Sequence, residues 1–132
     1  MKIIACIDDQ NGLLFNRRRL SSDVVLTRRI LENIGDATLW VTPYSAKLFE
    51  GASVCVDPCL LDRAKVEEYC FIEDTDIMPY MDKVTQIVLY RWNRRYPSDR
   101  KFPVLGSEWQ LVATEEFEGN SHPVITEEVY ER

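Results

Sequence analysis

The side chains here most able to do chemistry are carboxylates, and two of them fall where an α/β protein ordinarily holds its ligand. Tyr69 to Ile72 is an apolar, strand-like run that stops at Glu73-Asp74, and the residues after that turn read as a short helix. Ligands of open α/β sheets sit at the carboxyl ends of the strands, where glycines let the backbone approach and helix N-termini receive anions. Acids at such a turn work against an anionic ligand. Each opposes it by about 1 kcal/mol at contact distance in water, and by more when buried. The same acids suit a helix N-terminus, so Asp74, Thr75 or Asp76 is expected to cap a helix over 77–83. A third carboxylate, Asp23, comes after Ser21-Ser22 and precedes a segment with helical apolar spacing. It fits an N-cap. It equally fits a bidentate contact from a helix N-terminus to an amino-pyrimidine edge in an apolar cleft.

Other reactive groups are fewer. Cys55 and Cys59 are spaced C-x3-C, but no second pair or neighbouring histidine completes a tetrahedral zinc site. Three of the four cysteines lie in apolar, strand-like surroundings, where a reduced thiol acts as a small hydrophobe. His122 is the one histidine, which excludes multi-histidine zinc clusters and makes a serine or cysteine triad hard to assemble. It is read as a polar turn residue in a hairpin loop. Arg17-Arg18-Arg19, Arg28-Arg29, Arg91 and Arg94-Arg95 offer local positive charge; the reading adopted is a solvated face with local ion pairs.

These groups need elements to position them. The 132 residues suit one domain, 1–132, with a core that needs no staples. A formal charge of −6 opposes non-specific attraction to nucleic acid or an anionic membrane, so neither is expected as a partner. No apolar run is long enough to span a bilayer, and MKIIACIDD lacks a secretory h-region, so a soluble, cytoplasmic protein is expected. A small-molecule ligand and a homodimer are the partners entertained.

KIIACI, residues 2–7, is a strand buried on both faces, broken by the turn chemistry of Asp8 to Gly12. A helix is expected over 24–34, ended by Gly35, then a strand over 37–42 and a short helix through Phe49 opened by Pro43-Tyr44-Ser45. Next come a strand over 53–56, a loop with a short helix over 58–66, a strand over 68–72, the helix over 77–83 and a strand over 85–90. Strands alternating with helices indicate a largely parallel sheet. Residues 109–117 and 124–130 differ, being longer and alternating, and read as an antiparallel hairpin. The fold class is therefore α/β: a mixed, mostly parallel sheet flanked by helices and ending in an antiparallel C-terminal hairpin.

This order and spacing resemble the dihydrofolate reductases. IIACIDDQNGLLFN followed by LSSDVVLTRRIL is similar to that family's first strand, mobile substrate loop and first helix. ATLWVTPYSAKLF resembles the next strand and short helix, SDRKFP the segment Gly-Asp-Thr-x-Phe-Pro, and EWQLVATEEF with NSHPVITEEVYER the terminal hairpin. The resemblance implies that Asp23 is the catalytic carboxylate that binds the pterin ring and promotes its protonation before hydride arrives. It implies that Ala5, Cys6, Val24, Phe49, Ile72 and Tyr90 line the ligand pocket, and that Ser45 is what remains of the cofactor-phosphate segment.

The departures cluster on the cofactor side. The chain is short between Phe49 and Tyr69, where the family builds its adenosine-binding subdomain. EGASVCVDP offers no arginine for a folate tail, the substrate-loop tryptophan has no counterpart, and Thr27 stands where an aromatic stacks on the pterin. FIEDTDIMPY places Glu73 and Asp74 where the family has a double glycine against NADPH. The expectation is a dihydrofolate-reductase-like protein with a degenerate NADPH site, no assigned cofactor, and a small pterin-, pyrimidine- or nucleotide-like ligand. The alternatives are an active NADPH-dependent reductase with Asp23 assisting protonation, and a non-catalytic interaction scaffold presenting Trp92, Tyr96 and Tyr80.

Overall fold

The computed structural model describes residues 1–132. In chain order it runs β1 (Lys2–Ile7), β2 (Gly12–Phe15), β3 (Arg18–Arg19), α1 (Val24–Ile34), β4 (Leu39–Val41), a 3₁₀ turn (Ala46–Phe49), β5 (Cys55–Val56), α2 (Leu60–Arg63), β6 (Tyr69–Ile72), a second 3₁₀ segment (Met78–Lys83), β7 (Gln86–Arg91), β8 (Arg100–Lys101), β9 (Gln110–Phe117) and β10 (Ile125–Glu131). Seven strands form one sheet in the order β5-β4-β6-β1-β7-β10-β9. Pairing is parallel from β5 through β7 and antiparallel for β7-β10 and β10-β9, so the parallel sheet does end in a C-terminal hairpin. No helix is long and apolar enough to cross a membrane.

β1 lies at the centre because it is apolar on both sides. Ile3, Ala5 and Ile7 enter one core with Cys70, Ile72, Ile77, Ile87 and Leu89; Ile4 enters the other with Leu26, Ile30, Phe71, Val88 and Tyr90. Period-two alternation thus gives each central strand one row for each layer. α1 covers the second core through Leu26 and Ile30, one turn apart, and begins at an extended Asp23 cap. Gly35 ends it with φ of 57°.

Two expectations needed correction. Residues 77–83 form a 3₁₀ segment: Ile77 occupies the cap position without a side-chain bond, and Asp76 Oδ1 instead accepts from Met78 N at 3.0 Å. The region read as a loop after β1 contains a small second sheet, ordered β3-β2-β8. Its β2-β3 hairpin turns through Asn16 and Arg17, both with positive φ (53° and 65°), the pattern of a type I′ turn without its usual glycine. Asp8 holds the entrance to this sheet: Oδ1 accepts from Gln10 N and Gly12 N, and Oδ2 from Tyr96 N.

Candidate functional site

The turn after β6 is answered from the small sheet. Arg19, the last residue of β3, makes a bidentate pair with Glu73: Nε to Oε2 at 2.8 Å and Nη2 to Oε1 at 3.0 Å. Ser45 donates to the same Oε1 at 2.7 Å, and Thr42 Oγ1 reaches both Ser45 Oγ and Asp74 Oδ1. Tyr44 fixes the arginine further, accepting Arg19 N–H on its hydroxyl and lying 4.5 Å beneath the guanidinium. The hydrogen bonds Arg19 donates to Glu73 raise its already high pKa, so the guanidinium stays charged. Ser45 and Glu73 are buried, and Asp74 is exposed. The strand end that a ligand would approach is filled by protein groups already paired with one another.

A second cluster surrounds Asp23, whose side chain is wholly buried. Oδ1 accepts from the N–H groups of Val25 (3.0 Å), Leu26 (3.3 Å) and Asn120 (2.9 Å). Oδ2 accepts from Ser121 N (2.9 Å), Ser121 Oγ (3.2 Å) and His122 Nδ1 (2.9 Å). Burial opposes the charge, but the Asn120 N–H, His122 and the Ser121 N–H outweigh it and hold Asp23 well below the usual carboxylate range. Gly119 makes this approach possible, since a Cβ there would lie 2.6 Å from Asp23 Oδ2 and 2.8 Å from Ile125 Cδ1. His122 is in the hairpin loop, as expected, but it is 2 % exposed and stacks on Trp92 at 4.6 Å. Its Nε2 lies 3.0 Å from Ser21 Oγ and 3.4 Å from Tyr96 Oη. The expectation that one histidine would hardly assemble a triad is corrected: the C-terminal loop folds back onto the helix cap and aligns serine, imidazole and carboxylate.

The residues expected in one ligand pocket are divided by the sheet. Cys6, Phe49 and Tyr90 belong to the α1 side. Ala5 and Ile72, paired in register with each other, point into the opposite core and cannot line the same cleft. Val24 is 61 % exposed, turned out from the helix start. Beside Asp23 the residual cavity is ≈ 20 Å³, bounded by Cys6, Leu26, Phe71, Glu73 and Trp92 among others, with room for about one water. Burial and the Glu73 carboxylate push the Cys6 thiol well up, which keeps it protonated. Trp92, expected as an exposed contact, is buried against His122.

A larger cleft, ≈ 280 Å³, lies between α1 and strands β1, β7 and β10. Its walls include Ile4, Ile30, Ile34 and Val88, and its polar end holds Arg29, Asn33, Tyr90 and Glu127. Glu127 accepts Arg29 Nε at 3.0 Å and Asn33 Nδ2 at 2.7 Å, and Asn33 also reaches the Tyr90 hydroxyl at 3.3 Å. Burial opposes ionisation of Glu127, yet Arg29 lowers its pKa; burial, then Glu127, pushes the Tyr90 phenol up. Tyr90 therefore stays a neutral donor. The sequence points to Tyr90 but not to the rest of this polar end; the opposition of Tyr90 and Glu127 across β7 and β10 is the registration that brings it about.

No protein-family model and no curated protein sequence matches the chain. Solved structures do. Dihydrofolate reductase from Enterococcus faecalis, in a complex with NADP(H) and RAB-propyl, superposes with a TM-score of 0.69 over 99% of this chain and 95% of that one, at 13% identity. The fold is that of dihydrofolate reductase. The resemblance read from the two ends of the sequence thus holds for the architecture, and the dihydrofolate-reductase-like sheet includes the antiparallel ending. At this identity the likeness concerns fold alone.

Proposed function

We propose that this dihydrofolate-reductase-like protein has a degenerate NADPH site and serves as a binder of a small planar heterocycle of pterin, pyrimidine or nucleotide type. The observation that supports this most is the Arg19–Glu73 pair closed by Ser45. In the resemblance that turn carries glycines against the cofactor; here its acid is matched internally. A dinucleotide entering would have to break a bidentate ion pair and bring its phosphates to Asp74 as well. Hydride transfer depends on the protein binding and orienting the nicotinamide, so a filled turn leaves that work undone.

The Asp23 side offers little room, and its carboxylate has no free lone pair directed at a ring edge. The α1-side cleft suits a small heterocycle better. Its aliphatic walls match a flat ring, and Asn33, Glu127 and the Tyr90 hydroxyl present donors and acceptors at one end. The test is thermal stability against ligand, since a compound binding only the folded state must raise the midpoint. The expected result is no shift with millimolar NADPH and a rise with an aminopyrimidine or pterin, lost in Asn33→Ala. Stabilisation by micromolar NADPH that disappears at high salt would sink the reading.

A further inference from the structure

The geometry points to Ser21, His122 and Asp23 as a nucleophilic triad that hydrolyses small acyl esters. Three distances carry it: Ser21 Oγ to His122 Nε2 at 3.0 Å, His122 Nδ1 to Asp23 Oδ2 at 2.9 Å, and Asp23 Oδ1 to Asn120 N at 2.9 Å. The carboxylate fixes Nδ1 as the protonated nitrogen, which leaves Nε2 as the acceptor facing the serine hydroxyl. Trp92 stacked on the ring and the loop drawn in at Gly119 hold that orientation. Triads are recognised by this geometry and these roles, whatever the fold or chain order.

The surroundings bear on how a substrate would reach Ser21. Ser21 is partly exposed in the coil just before α1, whereas His122 and Asp23 are buried behind it. The N–H group of Ser22, an exposed residue, makes no hydrogen bond within the protein, which leaves a donor next to the nucleophile for a developing oxyanion. Ser21 itself borders the ≈ 20 Å³ cavity beside Asp23, and a groove of ≈ 450 Å³ lined by Phe15, Arg18, Leu20, Tyr96 and Pro97 reaches Leu20, the residue before the nucleophile. Tyr96 joins the groove to the triad, with its hydroxyl 3.4 Å from His122 Nε2. The narrow space at Ser21 limits the acyl group to a small one, with the rest of the ester lying toward the groove.

The chemistry balances without a cofactor. Ser21 Oγ forms a bond to the acyl carbon while its proton passes to His122 Nε2. His122 returns that proton to the departing alkoxide as the ester C–O bond breaks, leaving acyl-Ser21. Water then attacks the acyl carbon, its proton goes to Nε2 and on to Oγ, and acid and free serine are released. Asp23 stays ionised throughout as a positioning residue.

The experiment treats the full chain with a fluorophosphonate probe and reads intact mass and labelled peptides, with p-nitrophenyl acetate turnover alongside. The expected result is one adduct per chain, on Ser21, and a stoichiometric nitrophenol burst. Both disappear in Ser21→Ala, which still shows a cooperative thermal transition, and labelling slows at least ~100-fold in His122→Asn. Absence of any adduct after a day with millimolar probe overturns the assignment, as does an adduct that persists equally in Ser21→Ala.

Discussion

Replacing Asp23 with asparagine tests the most heavily bonded group in the molecule. The amide oxygen can keep the acceptor role of Oδ1 toward Val25, Leu26 and Asn120, but its NH₂ then faces the donors that met Oδ2. His122 can adjust by exchanging its ring proton between nitrogens; the Ser121 N–H cannot, and is left without an acceptor. An orphaned buried N–H costs about 1–3 kcal/mol, and turning the surviving charge-assisted bonds neutral weakens them by about half. Asp23→Asn is therefore expected to lose about 3 kcal/mol in urea unfolding at pH 7. The effect depends on pH in a defined direction. Asp23 is held well below its unfolded value of about 3.9, so its contribution is complete above that pH and fades as pH falls toward the folded value. By pH 3 the wild type should have lost about 1.3 kcal/mol through this one group, a loss the asparagine variant does not share. A difference under about 1 kcal/mol at pH 7, or one that fails to narrow between pH 6 and pH 3, would refute the reasoning.

Other substitutions probe the neighbouring contacts. Glu73→Gln removes the charge facing Arg19, whose side chain is 25% exposed, so water offsets part of the usual buried-pair penalty; a loss of about 2 kcal/mol in urea unfolding is expected, with most of it absent when Arg19→Gln is already present. Gly119→Ala places a methyl against Asp23 Oδ2 and Ile125 and should lower stability by about 1–3 kcal/mol while shifting the imidazole resonances of His122. Thiol labelling with an aromatic disulfide at pH 8 should modify Cys55 and Cys59, both exposed, within minutes. Cys70, pushed up to about 12 by burial, and Cys6, raised by burial and Glu73, should react only on unfolding, so a fast reaction of all four would contradict the packing.

The helix over Val24–Ile34 is legible to the residue because three independent signals agree on it: an Asp cap, buried Leu26 and Ile30 one turn apart, and a Gly35 stop. β1, β6 and β7 are legible as apolar runs. The small sheet is not, because β3 and β8 are two residues long and the β2-β3 turn uses Asn16 and Arg17 in the left-handed region where glycine is the usual sign. Facing is harder still. A slip of one residue in assigning β1 and β6 moves Ala5 and Ile72 to the other layer, and periodicity cannot choose between faces when both are apolar. The acidic turn stands out in the sequence, but its partner lies on β3, a strand too short to leave a pattern, so Glu73 reads as an obstacle to anions and not as half of a pair. Likewise a lone histidine about a hundred residues from Asp23 gives no local sign that the two meet.

That separation bears on how the molecule reaches its native state. The donors that complete Asp23 come from positions 97, 98 and 99 residues further along the chain. Local capping by Val25 and Leu26 is available as soon as α1 forms, but the rest waits until β9 and β10 have paired and brought the loop round. Contacts of such long range are formed late and slow the search, because closing the loop costs entropy before any of its bonds are made. Hydrogen exchange during refolding should therefore protect the amides of Asn120 and Ser121 together with the closing of the last hairpin, and after the central strands.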